Sequence, residues 1–574
     1  MKKLFSIFLS VGILSLLILS SCGDDEEPII TNPDAPTVTA PAAQTADVGA
    51  TVTLTFTTSV PGGVASVAVT ETGGTTTTDA QPAAGATSGD VEVTFTAGTT
   101  PGAGSVTVTV TDANGLSDDA TAVVSITEQG VTFTVTPNNE FRGPDEDNTT
   151  EYPQNVVTGV INQDFTFTND VVWILNGRVV VGNGATLTID EGTIIKAGEG
   201  QGATSSVLLV ARGGTLMADG TATEPIIFTS VQDNINLPGL AFWDGTDNGA
   251  ASIVADGDGF TSTLPIESTI GLWGGVVILG NAPISSGGGE ENQIEGIPVS
   301  DVNGLYGGSD AMDNSGSLTY ASIRFTGTQL GPGNELQGLT LGGVGSMTTI
   351  NWVESINSAD DGIEIFGGTV NVSNFIVYAP DDDGYDLDEA YAGTIDNFLY
   401  IASPGSGGGF SFDSDHALEL DGPESTLDGQ SVLVNGSLQG GDNDEFADLR
   451  DGMQLDISNC YFFNFPSNNR FEIDGDESAA NFNAGGATGI VISDLEFNEA
   501  HTDGGTFSMI SEIFGESGTD GTLTNANTTI FTNGASLVTG SNDPTVGANL
   551  MPFLSGWSYS AALTNDFEDF TSIN

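Results

Sequence analysis

Hydrophobic and polar positions alternate along this chain at two scales. Between residues 35 and 128, stretches such as Thr51-Val-Thr-Leu-Thr-Phe-Thr, Asp90-Val-Glu-Val-Thr-Phe-Thr and Ser105-Val-Thr-Val-Thr-Val-Thr keep a strict period of two. Gly/Pro turns every ten to fifteen residues separate them, the pattern of a small β-sandwich. From residue 156 onward the apolar runs shorten to three to five residues. Val179-Val-Val, Val207-Leu-Leu-Val and Ile226-Ile-Phe-Thr are examples, many introduced by Gly or by Asn/Asp turns. Amphipathic helical periodicity is absent. Strands this short, with no helices to cover a sheet, bury their inner faces if the chain coils on itself and each coil stacks on the next as a parallel β-helix.

An internal repeat supports the coil. Ile363-Glu-Ile-Phe366 is followed by Tyr385-Asp-Leu-Asp388, Leu418-Glu-Leu-Asp421, Met453-Gln-Leu-Asp456 and Phe471-Glu-Ile-Asp474. The first two lie 22 residues apart and share flanks, Asp360-Asp-Gly362 matching Asp382-Asp-Gly384. About 22 residues suits one turn of a three-sided coil, and wider gaps hold insertions. The first and third residues of each copy point inward and the second and fourth to solvent.

Composition narrows the function. Against 77 acidic residues stand 9 basic ones, for a net charge of −68 over 574 residues. Nucleic-acid phosphate and anionic lipid head groups are excluded as partners by that charge. Two cysteines and two histidines rule out a disulfide scaffold, and leave too few ligands for a Cys-based zinc site or a multi-His metal centre.

Residues 1–21 combine Met1-Lys2-Lys3 with an apolar run too short to span a bilayer comfortably, then Leu19-Ser-Ser-Cys22. That ending resembles the lipobox of bacterial lipoproteins, which implies lipidation at Cys22 and a membrane anchor through acyl chains. The acidic Gly23-Asp-Asp-Glu-Glu27 resembles the surface-export signal of Bacteroidota lipoproteins. Residues 22–34 are then a tether, 35–128 a module resembling Ig-like or cadherin-like spacers, 129–155 a linker and cap, and 156–574 the β-helix. Gly271-Leu-Trp-Gly-Gly-Val-Val-Ile-Leu-Gly-Asn-Ala-Pro-Ile284 and Asp360-Asp-Gly-Ile-Glu-Ile-Phe-Gly-Gly-Thr-Val-Asn-Val372 resemble a family of Bacteroidota surface lipoproteins. The resemblance implies an all-β chain, a small Ig-like β-sandwich followed by a long right-handed parallel β-helix of pectate-lyase-like architecture. Insertions near 233–268 and 284–316 are expected to fold as loops over one side.

The coil also places chemistry. Equivalent residues on stacked coils sit about 4.8 Å apart, so carboxylates in one column repel by about 0.9 kcal/mol in water and about 3.5 kcal/mol at an effective dielectric of 20. Dense hard oxygen donors suit Ca2+, giving a candidate metal set of Asp360, Asp361, Glu364, Asp382, Asp383, Asp386 and Asp388. A hydrated acidic face with diffuse counterions is the alternative. Glu419 and Asp421, with the rings of Tyr385 and Tyr391, form a candidate glycan-binding set, since rings beside carboxylates suit sugar recognition. No catalytic residue is assigned. A lyase mechanism needs a base, for which only Arg324, Arg450 and Arg470 lie near the acidic coils. Hydrolysis needs two spaced carboxylates, with His416 as a further acid. The Gly-His-Gly and Arg-Ile-Lys motifs of polygalacturonases are missing.

The expected protein is therefore an outer-membrane lipoprotein facing the cell exterior, acting in adhesion or glycan binding with Ca2+ as its cation. Polysaccharide or another surface protein is its expected partner. A Ca2+-dependent polysaccharide lyase or hydrolase is the alternative, and a structural component of a surface assembly the third.

Overall fold

A computed structural model describes residues 34–47, 51–98, 102–127, 134–138, 154–200, 202–233, 235, 261–286, 290–297, 301–328, 336–442, 444–467, 470–486, 488–517, 534–538, 544–554 and 557–563. The expected signal segment, Cys22 and nearly all of the tether lie outside them. Two compact units divide at Gln129/Gly130.

The first unit is a β-sandwich. Thr37–Thr39, Thr51–Ser59, Ser88–Ala97 and Gly74–Ala80 form one four-stranded sheet. Gln44–Asp47, Ser117–Thr127, Gly102–Asp112 and Val64–Thr72 form the other. The period-two pattern does the sorting: Leu54, Phe56, Val91, Val93 and Phe95 meet Val106, Val108, Val110 and Val124 in a closed core, while the intervening threonines face out.

The second unit is a parallel β-helix whose strands pair in parallel from Gln154–Ile161 to Ala535–Val538. Thr134–Asn138, from the stretch expected to be linker and cap, pairs antiparallel with the first of them. From Leu339 onward each coil has two strands. A four-residue strand (Leu339–Gly342, Ile363–Phe366, Tyr385–Asp388, Leu418–Asp421, Ala447–Arg450, Phe471–Asp474) forms one side. An eight- or nine-residue strand (Thr349–Ile356, Asn371–Tyr378, Thr394–Ile401, Ser431–Gln439, Leu455–Phe463, Ile490–Asn498) forms the other two.

The long strand serves two sides because one residue in it turns left-handed. Trp352, Asn374, Asn397, Asn435, Asn459 and Asp494 have φ between 51° and 61°, a region asparagine tolerates better than most residues. The amides stack: Asn374 Nδ2 donates to Asn351 Oδ1 at 2.7 Å, Asn397 Nδ2 to Asn374 Oδ1 at 2.6 Å, and Asn459 Nδ2 to Asn435 Oδ1. Inside the coil, Ile363, Ile365, Leu387, Leu418, Leu420, Leu449, Phe471 and Ile473 stack in rows, all fully buried.

The repeat needs one correction. The fourth copy in the short-strand column is Ala447–Arg450, not Met453-Gln-Leu-Asp456, because Glu419 pairs with Asp448 and Asp448 with Glu472. Leu455 starts the next long strand, opposite Ser431. Of the expected insertions, the described part of 284–316 packs Ile284, Ile294, Ile297 and Tyr306 against Leu279 and Phe366. From the one near 233–268, Ile266 lies on Phe410 and Phe412.

Candidate functional site

The short strands present their second residue outward as one column, Thr340, Glu364, Asp386, Glu419, Asp448 and Glu472. Beside it, Asp-Asp-Gly turns precede two of the strands and stack on each other. The Asp383 amide donates to Asp361 Oδ1 at 3.0 Å, and the Gly362 amide to the Asp383 carbonyl at 2.9 Å. Glycine is required here by close approach. A Cβ on Gly362 would stand 2.2 Å from Val377 Cγ1, and one on Gly384 2.4 Å from Tyr400 Cδ2.

Three groups of side chains meet closely, and of the seven expected metal residues all but Asp388 fall in them. Asp361, Glu364 and Asp386 each offer an oxygen within 4.8 Å of the others, as do Asp360, Asp361 and Asp382, and as do Asp383, Asp415 and His416. Asp361 and Glu364 are 6% and 7% exposed, and Asp386 is half-buried. The outward column is thus far less solvated than strand alternation implies. Glu364 Oε2 and Asp386 Oδ1 are both buried, and the two side chains share a hydrogen bond, which two carboxylates make only with a proton between them. Burial first, and then their neighbours' charges, push Asp361, Glu364 and Asp386 well above the usual carboxylate range. The same causes raise Asp382 to about 7. Asp388 rises to about 7, through burial and then the charge of Asp421 against a hydrogen bond from the Glu389 amide.

Two cations relieve the next coils. His416 donates its amide to Asp383 Oδ1 at 2.7 Å and places Nδ1 2.9 Å from the same oxygen. Burial works against both charges, but this pairing outweighs it, lifting His416 to about 9 and holding Asp383 below its ordinary value. Glu419 is raised by burial and by Asp383, so the protons of this pair are shared. Arg450 Nε donates to Asp421 Oδ1 at 2.7 Å and Nη2 to Asp421 Oδ2 at 3.0 Å, with Nη2 also on Glu419. Arg450 is therefore engaged as a bidentate structural partner and is not free as a base. Arg324 is fully buried, its guanidinium 4.5 Å over the Tyr559 ring.

The tyrosines correct the expected glycan set. Tyr385 is fully buried and donates its hydroxyl to the carbonyls of Phe375 and Leu399 at 3.1 and 2.9 Å. Tyr391 is 1% exposed and donates to the Val370 carbonyl at 2.7 Å. Both fill the interior of the coil, where large rings complete the rows, and neither offers a ring face to a sugar. Glu419 and Asp421 remain half-buried at the face, tied to Arg450.

Sequence reading missed Asp415, Glu445 and Glu389. The first two flank His416 at 3.8 and 4.0 Å and come from loops outside the tetrapeptide pattern. Glu389 follows a column strand with φ 52°, where the preceding coil has Gly367. Its Oε1 accepts from Tyr306 Oη and Asn292 Nδ2, both at 3.0 Å, binding the 281–309 insertion to the face. A charged residue in a glycine position was the signal that could have found it.

No curated protein and no solved structure matches the chain. A protein family described as a pectate-lyase-like beta helix domain matches residues 159–243 and 259–542. Those segments cover more than half of the chain and the whole acidic column, and on that match the protein belongs to the pectate-lyase-like β-helix domain family.

Proposed function

We propose that this protein is a surface lipoprotein of the bacterial outer membrane, anchored through Cys22, whose acidic β-helix face binds Ca2+ and through it polysaccharide. The sandwich, read as an Ig-like module, serves as the spacer that follows the anchor. One observation carries the reading: three carboxylates from two stacked coils, Asp361, Glu364 and Asp386, converge within 4.8 Å, and Glu364 meets Asp386 in a side-chain hydrogen bond that two carboxylates make only with a proton held between them. Buried carboxylates packed this closely are strongly disfavoured when ionised, and a hard dication with oxygen ligands resolves it. Asp360, Asp382 and Asp383 extend the donor set, and Asp388 lies two residues beyond Asp386 on the same strand. With Tyr385 and Tyr391 inside the coil, sugar contact rests on bridging cations and on carboxylates accepting from sugar hydroxyls, rather than on ring stacking. An acidic face attracts an anionic glycan only with the dication in place.

Glycan-array binding with Ca2+, lost on chelation and unaccompanied by release of reducing-end or unsaturated products, supports this reading. Calcium-independent binding, or none, refutes it. A second reading, a polysaccharide lyase or hydrolase, draws on one specific feature: Asp382 and Asp388 titrate near neutrality, as a general acid requires. Its lyase form is weakened by the engagement of Arg450 and the burial of Arg324. Product release from an acidic polysaccharide would favour this reading over binding alone.

A further inference from the structure

The second arm of each long strand has its own outward column: Ser322, Glu354, Ile376, Leu399, Ser437, Tyr461 and Glu496, in register across seven coils. It lies on a different side of the coil from the acidic face. The chain returns over it after the last coil. Thr545 N donates to Glu496 Oε2 at 2.6 Å, Ala548 N to Ser437 Oγ at 2.9 Å, and Asn549 N to Asn397 Oδ1 at 2.6 Å. Leu550, Phe553 and Trp557 then cover Ile376, Leu399, Ile401 and Tyr461. At the far end Glu354, fully buried, accepts four hydrogen bonds from the strap. They come from Ser558 Oγ at 3.0 Å, Tyr559 N at 2.9 Å, Ser560 N at 3.0 Å and Ser560 Oγ at 2.7 Å. The segment thus runs backwards along the coils, from Glu496 to Glu354, with a carboxylate clamp at each end and apolar packing between.

We propose that residues 544–554 and 557–563 belong to a releasable latch, whose docking decides whether the apolar column of Ile376, Leu399 and Tyr461 meets water. The strand ladder of the coils is complete without the strap, which contributes no strand to it. The clamps grip the strap through its backbone amides and small hydroxyls. Neither clamp carboxylate forms a salt bridge among the described residues. At the two ends recognition is by hydrogen bonds to charged acceptors, which contribute more than neutral ones, with Arg324 over the Tyr559 ring beside one of them.

The test keeps the full chain and inserts a specific protease sequence after residue 543. After cleavage, the wild-type strap stays bound through gel filtration. In the Glu354→Ala/Glu496→Ala variant it leaves at least about tenfold faster, since each clamp is worth more than about 1.4 kcal/mol. Fluorescence of a dye that reports exposed apolar surface rises, and the far-ultraviolet β signal stays. Ser560→Ala with Thr545→Ala removes the hydroxyl bonds of Ser560 Oγ to Glu354 and of Thr545 Oγ1 to Glu496, and gives the same reading should the double carboxylate variant fail to fold. Unchanged release in the strap-side variant, or loss of the β signal when the strap leaves, overturns the proposal.

Discussion

Asp383 and His416 come from successive coils, yet one carboxylate oxygen, Asp383 Oδ1, accepts from both the backbone amide and lies 2.9 Å from the ring Nδ1 of His416. The histidine thereby pins its own loop to the preceding Asp-Asp-Gly turn. Asp383 is 2% exposed, so the pair is held where solvent screens little. Substituting Asp383→Asn is expected to destabilise the fold by about 1–3 kcal/mol, the loss of a hydrogen bond to a charged group. It should also bring His416 down from about 9 toward 6.5. Thermal melting reads the first effect and an NMR titration of the imidazole the second.

Stability should fall as pH rises when no divalent cation is present. Asp382, Asp388 and Glu389 are raised to about 7 in the folded chain, in each case chiefly by burial. Between their unfolded values near 4 and about 7 the folded state holds more protons than the unfolded one, so each unit of pH there lowers the unfolding free energy. His416 acts in the same direction, its favourable contribution being lost as pH rises through about 9. Melting temperatures measured in chelator should be higher at pH 5 than at pH 8. A rise from pH 5 to pH 8 would contradict these assignments.

The amide ladder separates strain from hydrogen bonding at one position. Asn397 has φ 58°, donates to Asn374 and accepts from the Asn549 amide. Asn397→Gly should cost about 1 kcal/mol, chiefly the lost hydrogen bonds, whereas Asn397→Ala adds about another 1 kcal/mol of left-handed strain. Equal losses for the two variants, by denaturant melting, would show that the turn does not need that conformation.

The buried tyrosines give a test of what the face uses. Tyr385→Phe removes a hydroxyl bonded to two carbonyls inside the coil. It should lower stability by about 1–2 kcal/mol and leave glycan affinity unchanged. A selective loss of affinity at unchanged stability would place the ring at the ligand.

Much of this architecture is legible in the sequence, because period-two alternation and the Asp-Asp-Gly flanks report directly which side chains turn inward. The coil and the convergence of Asp361, Glu364 and Asp386 follow from that register alone. What failed has physical causes. Ala447–Arg450 escaped the repeat because Arg450 stands opposite Asp421 as its ion-pair partner, breaking the acidic pattern at the column position it occupies. The burial of Tyr385 is legible in the alternation, since it holds the inward first position of its tetrapeptide, and its place in the glycan set rested only on its nearness to carboxylates in sequence. Glu389 is held by the insertion near 284–316, whose docking through Tyr306 is a tertiary event with no local period. The strap on Glu354 is invisible for the same reason, its partners lying about 200 residues away.

The most direct test is calorimetric titration of Ca2+ into the protein, paired with melting in Ca2+ and in chelator. Saturable uptake is expected, with a melting temperature that rises with Ca2+ as mass action requires. In Glu364→Gln/Asp386→Asn both effects should vanish, while the cation-free variant becomes more stable than the cation-free wild type because two buried acids no longer have to be ionised or protonated against their ordinary range. No heat of binding, with the same melting temperature in Ca2+ and chelator, would contradict the assignment of this face as a cation site.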